Sequence, residues 1–271
     1  KNDFKIYWGK FPIAKIVAGK DYLNPGIDLI VDEMIENEDK NRLSIYLQNW
    51  ISEKILTELK SLMDLKFIKE KNTNIRALAF HLYENNGVIK RENLKDLIDR
   101  LSQEERKILR NLGVKFGRYH IFLFRLFKPR AVSFRILLWK NFYQKSFDFE
   151  PPTFGLNFLE NKKTINQNFM LLCGFEKFDN FYVRIDILER LFLLIIEKKG
   201  KDIKLIPDML NLLGCNKDNF LKLIQKMNYK HYEKDGQIYF KYISNKINKK
   251  DRYKKIANDN PFNVLKELSL K

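Results

Sequence analysis

A chain of 271 residues that is 45% hydrophobic and 31% charged has the length for one large domain or about two or three small ones, and enough apolar content for a real core. Its longest apolar run, Leu191–Ile196, is far short of the roughly 20 residues a membrane-spanning helix needs, and no signal peptide opens it, so no membrane partner is expected. Lys and Arg total 51 against 34 Asp and Glu, and the resulting charge of +17 favours a polyanionic partner.

Taken in chain order, Phe4–Val17 alternates in aromatic and β-branched residues around Gly9-Lys10 and reads as a hairpin, with Pro12 on an edge strand and Asn24-Pro25-Gly26 as a turn. Leu43, Tyr46, Leu47, Trp50, Ile51, Ile55, Leu59 and Leu62 recur at three- and four-residue spacing and predict one amphipathic helix. Further helices are expected near Ile75–Tyr83 and Glu92–Leu101. Ser102 and Glu105 form a capping box for a helix ending at Leu112, with Gly113 just past it. Another helix follows Pro129 and carries Phe134, Leu137, Leu138 and Trp139. Pro151-Pro152 breaks the pattern, and the segment up to Tyr182 reads as a loose connector.

Order returns with an apolar helix over Arg184–Lys198, a short strand over Lys201–Ile206, and a helix from Pro207 to Leu213. Asn216 caps a second helix ending near Met227. Two β-like runs around Asp235-Gly236 then make a hairpin. This order is that of a winged helix-turn-helix. Asn245–Lys255 holds six Lys or Arg and one Asp, and precedes a short apolar element at Pro261–Leu268. The expected fold is therefore mainly α. It comprises a hairpin and turn segment (1–40), a basic helical bundle (41–150), a connector (151–182), a winged-helix-like α+β module (183–244), and a basic tail with a docking element (245–271). No internal sequence repeat is evident.

Gly113–Phe147 contains no Asp or Glu. It does contain Lys115, Arg118, His120, Arg125, Lys128, Arg130, Arg135 and Lys140, interleaved with aromatic residues that include Tyr119. Cations neutralise phosphates and flat aromatic faces stack on unpaired bases, which together suit a single strand. Most of the phenylalanines are expected in the core. On the second helix of the turn motif, Lys222 and Lys226 are candidate phosphate contacts. Phe262, Val264, Leu265 and Leu268 are candidates for docking in a partner's groove.

Catalytic signatures are missing. There is no P-loop and no Gly-x-Ser-x-Gly elbow, and His81, His120 and His231 lack metal-ligand spacing. Cys173 and Cys215 are too few for a disulfide framework, so they read as small apolar side chains in a reducing, cytoplasmic setting. No catalytic residue and no metal site is expected. The chain begins at Lys1 rather than Met, and is expected to be cut from something longer.

One resemblance is specific. Gly113-Val114-Lys115-Phe116-Gly117-Arg118-Tyr119-His120-Ile121-Phe122-Leu123, then Leu126–Ala131 and Leu137-Leu138-Trp139, resemble the region after the motor in alphaproteobacterial superfamily II helicases related to the RNA helicase of the mitochondrial degradosome. Val183–Leu191, Leu212-Leu213-Gly214-Cys215 and Pro261-Phe262-Asn263-Val264-Leu265 resemble further blocks in the same order. The resemblance implies an ATP-dependent helicase acting on RNA or RNA–DNA duplexes, with ATP and Mg held in motor domains that this sequence lacks. No ATPase residue carries over, so the chain alone is not expected to be active. An accessory role does carry over: guiding single-stranded RNA at the motor, with a nuclease or other degradosome-like protein as a further partner. The alternative is a protein-interaction scaffold built on the winged helix and the C-terminal element.

Overall fold

The computed structural model describes residues 4–30, 36–69, 72–143, 151–160, 166–198 and 202–243. They form α-helices and small antiparallel sheets, a mainly α or α+β arrangement. Among them no helix is long and apolar enough to cross a membrane. The chain divides into two compact units: 1–197 with 208–215, and 198–207 with 216–271. The Pro261–Leu268 element and the Lys-rich segment before it lie outside the described residues.

The first unit opens with a meander of β1 (Lys5–Trp8), β2 (Phe11–Val17) and β3 (Gly26–Leu29). The predicted hairpin is there, but β3 pairs with the far side of β2 and makes it central. Pro12 is therefore on the central strand, although the pairs with β3 run over Ala14–Val17 and do not reach it. Its lack of an N–H is accommodated at a register shift, where Tyr7 faces Pro12 after Ile6 faces Ala14.

The long predicted helix is two. In α1 (Asn37–Glu58), Leu47, Ile51 and Ile55 are buried at four-residue spacing, each contributing about 1.5–3 kcal/mol of burial. Leu59 leaves helical geometry at φ −109°, and α2 (Lys60–Lys66) restarts with Leu62, Met63 and Leu65 inward. Tyr46, expected on the inner face, is 64% exposed.

Asn72 caps α3 (Thr73–Glu84) by accepting from the amides of Asn74 and Ile75. After β4 (Val88–Lys90) and α4 (Lys95–Arg100), α5 (Gln103–Asn111) starts at the reciprocal Ser102–Glu105 box. A hairpin follows, β5 (Val114–Phe116) and β6 (His120–Leu123), and β6 lies between β4 and β5. A 3₁₀ turn (Phe124–Phe127) leads into α6 (Pro129–Tyr143). The region expected to be a helical bundle thus also contains a three-stranded sheet.

The expected connector is also structured. It holds β7 (Phe158–Glu160), α7 (Gln167–Leu172), β8 (Phe175–Phe178) and the start of β9 (Phe181–Arg184), with β9 in the centre of the sheet. Phe169, Met170, Phe175 and Tyr182 bury against Val132, Ile136 and Trp139 of α6. α8 (Ile185–Glu197) and α9 (Pro207–Leu213) complete the unit.

The second unit pairs β10 (Ile203–Lys204) with β12 (Gln237–Tyr242), and β12 with β11 (Tyr229–Lys234). α10 (Lys217–Lys226) is capped by Asn216, which accepts from the amide of Asn219. Asp235 and Gly236 take positive φ in the turn, as the Asp-Gly pair requires. Phe220, Leu223, Ile224, Ile238 and Phe240 are buried. Three sheets therefore share one order, in which a first strand pairs with the second strand of a later hairpin: β4-β6-β5, β7-β9-β8 and β10-β12-β11. This topology repeats without any repeat of residues.

Candidate nucleic-acid interface

The loop of the β5–β6 hairpin is fixed by a carboxylate from a distant helix. Glu189 of α8 accepts hydrogen bonds from three successive backbone amides: Arg118 at 2.5 Å, Tyr119 at 2.8 Å and His120 at 2.9 Å. Successive N–H groups in a tight turn form an anion-binding concavity, and here the anion belongs to the protein. The approach needs glycine at position 117, where a Cβ would stand 2.4 Å from the Glu189 carboxyl carbon. Arg91 holds the same loop from the other side, donating from its side chain to the Gly117 carbonyl at 2.8 Å and from its backbone amide to the Tyr119 carbonyl at 2.8 Å.

His120 sits beneath this loop with 3% of its surface exposed. Its Nε2 is 3.0 Å from Glu176 and its Nδ1 3.7 Å from Glu189. Lys90 reaches the other oxygen of Glu176 at 3.0 Å. Burial alone would lower the His120 pKa, but the two carboxylates more than offset it and hold the pKa above the ordinary value. Burial likewise opposes the Glu176 carboxylate, yet His120 and Lys90 leave its pKa below the usual range.

The acid-free stretch thus separates into distinct sets. His120 and Arg135, expected at the interface, are buried, which corrects their assignment to strand contact. Arg135 is fully enclosed and donates to the carbonyls of Asn86 (3.0 Å), Leu126 (2.9 Å) and Leu172 (2.6 Å). It ties three chain segments together, and complete burial lowers its pKa. Lys115, Arg118, Arg125, Lys128 and Arg130 are exposed, and Tyr119 and Lys140 are half-buried. Arg130 pairs with Glu58 of α1. Arg118 lies 5.7 Å over the Phe192 ring, and Tyr119 meets the same ring edge-on. Lys140 lies over Phe169. In the second unit, Lys222 and Lys226 are on the exposed face of α10. Phe262, Val264, Leu265 and Leu268 lie outside the described residues.

Beside the exposed cations is a cleft of about 160 Å³. Phe124, Phe127, Lys128, Phe154, Arg184 and Asp186 line it. Phe124 and Phe154 are 43% and 53% exposed. Arg184 and Asp186 pair side-on, at 2.8 and 2.6 Å. Phe127 stacks on Phe122 at 5.4 Å and packs so tightly on Gly174 that a Cβ there would lie 2.9 Å from its ring. Cys173 is buried at the back of the cleft, and burial pushes its thiol up to about 12, so it stays protonated.

Sequence reasoning missed Glu58, Glu176, Glu189 and Phe154. For Glu189 a signal existed: residues 185–196 are apolar except for Asp186, Glu189 and Arg190, and an acid in such a run needs a partner if it is buried. Among the described residues no three His, Cys, Asp or Glu side chains are grouped to hold a metal. No protein-family model matches the chain, and neither a curated protein nor a solved structure does.

Proposed function

We propose that this chain is a nucleic-acid-binding accessory region that guides single-stranded RNA, working beside the motor of an ATP-dependent RNA helicase and contributing no catalytic residue itself. The observation that carries the reading is the set of exposed cations Lys115, Arg118, Arg125 and Lys128 on a rigid hairpin and turn, next to exposed aromatic rings. Phosphate neutralisation by such residues releases counterions, so affinity falls with salt. The winged-helix reading of the chain from α8 onward rests on its element order and on the β10-β12-β11 sheet, with α10 offering Lys222 and Lys226 to a second phosphate track.

The test is a salt titration of single-stranded RNA binding by the full chain. Arg118, Arg125 and Lys128 changed together to Gln should weaken binding roughly 10–100-fold and flatten the log–log slope by about 2, at about 0.7 per phosphate. Arg130 is left out of this set because Glu58 already neutralises it. A folded triple variant with an unchanged slope refutes the interface.

A protein-interaction scaffold is favoured by a different observation. Ile45, Tyr46 and Leu56 of α1 and Trp8 and Phe11 of the first hairpin are 46–75% exposed, which is apolar surface of the kind partners cover. A nuclease partner would use it without altering the salt slope.

A further inference from the structure

We propose that the cleft between Phe124 and Phe154 is a nucleobase subsite: it takes one unstacked base of the bound strand, while Lys128 at its rim meets the adjoining phosphate. The inference rests on the nucleic-acid reading above and names what that surface recognises.

Size limits the occupant first. A cleft of about 160 Å³ is below the ~300–1,000 Å³ typical of sites that enclose a whole small molecule, so it admits one planar ring system and leaves sugar and phosphate outside. Chemistry limits it next. Two partly exposed phenyl rings from separate elements line the cleft, and base–aromatic stacking tolerates any base because every base has a π face. Charge decides the class of polymer. Lys128 lines the cleft, Arg125 is exposed one turn away, and the acid in the lining, Asp186, is already neutralised by Arg184. An uncompensated lysine at an aromatic-lined slot, with a further exposed cation nearby, is complementary to a polyanion that carries flat rings.

The slot is also preformed. The Thr153–Leu156 turn that presents Phe154 closes with a hydrogen bond from the Leu156 amide to Thr153. It is pinned at Asn157, whose carbonyl accepts from the Arg184 amide at 2.9 Å and whose side chain donates to the Leu212 carbonyl at 3.0 Å. Phe124 stands on the 3₁₀ turn whose carbonyl at Leu126 is held by Arg135. Ordering costs that a flexible loop would bear on binding are therefore small.

The experiment measures anisotropy of fluorescein-labelled oligoadenylate RNA and of an abasic strand of the same length, each titrated with the full chain. The wild type should prefer the base-containing strand. Phe124→Ala and Phe154→Ala should each lower its affinity about 5- to 150-fold, leaving abasic affinity and salt slope unchanged. Phe124→Tyr and Phe154→Tyr should restore it. Both rings are about half exposed, so the alanine variants should keep the wild-type circular dichroism spectrum. Equal binding of the two strands by the wild type, or folded alanine variants that bind oligoadenylate as tightly as the wild type, overturns the subsite. If the Arg118/Arg125/Lys128 variant still flattens the slope in that case, only the subsite falls. If neither strand binds the wild type, the nucleic-acid reading falls and the subsite with it.

Discussion

Replacing Glu189 by alanine removes the acceptor of three backbone amides at once and leaves His120 with Glu176 as its remaining carboxylate neighbour. Each charge-assisted hydrogen bond is worth about 1.5–3 kcal/mol, so the three set a ceiling of about 5–9 kcal/mol. The amides of Arg118 and Tyr119 belong to exposed and half-buried residues and regain water when the side chain is cut away, whereas that of His120 does not. The expected loss is then about 3–5 kcal/mol, at the severe end for a single substitution. Glu189→Gln keeps one carbonyl acceptor in place and should cost about 1–2 kcal/mol. The three tryptophans, Trp8, Trp50 and Trp139, all belong to the first unit, so urea unfolding followed by tryptophan fluorescence reports on that unit. An alanine variant within about 1 kcal/mol of the wild type would show that the loop holds without its carboxylate and would refute the reasoning.

The same cluster sets a pH dependence. With its folded pKa raised, His120 contributes stability that is complete below its ordinary value of 6.5 and is lost as pH rises through the folded value. Glu176, with its folded pKa lowered, contributes above its ordinary value of 4.5 and loses that contribution as pH falls through the folded value. The first unit should be most stable between those two ordinary values and weaken toward alkaline pH, and His120→Gln should abolish the alkaline decline; urea midpoints across pH check both. Arg135→Met strands two buried carbonyls and one part-buried carbonyl and should cost about 3–5 kcal/mol, measured by the same unfolding. While folded, that variant should bind RNA with the wild-type salt slope, and a reduced slope would return Arg135 to the interface.

What the sequence makes legible is local chemistry. The Ser102–Glu105 box, the Asn216 cap and the Asp235-Gly236 turn each depend on residues within four positions of one another, and each is where its side chains require it. Pro12 shows the limit. Whether its strand is an edge or a centre depends on β3, which starts at Gly26, and nothing next to Pro12 encodes that pairing. Phe158–Tyr182 shows another. β7, α7 and β8 are three to six residues each, too short for a period to declare itself, and they acquire order from the α6 face they bury. The recurring sheet order is illegible for the same reason: it is a pattern of pairing, with different side chains in each copy.

The basic stretch is legible in composition, but which of its cations are exposed is not, and the acids explain why. Counted along the chain, Gly113–Phe147 is purely cationic. In three dimensions it draws carboxylates from elsewhere: Glu58 to Arg130, Glu176 to His120, and Glu189 to the hairpin loop. A basic stretch without acids of its own is therefore partly a structural device, because acids within it would compete for the same amides and cations. Arg135 makes the point without any acid, spending its donors on carbonyls. Among the described residues of the stretch, Lys115, Arg118, Arg125 and Lys128 are fully on the surface, and under the proposed reading they are the cations offered to a polyanion. That set stands on the one hairpin and turn that Glu189, Arg91 and Arg135 make rigid. Under the proposed reading these contacts position the exposed cations, since a cation on a held loop can meet a phosphate without first ordering its own backbone.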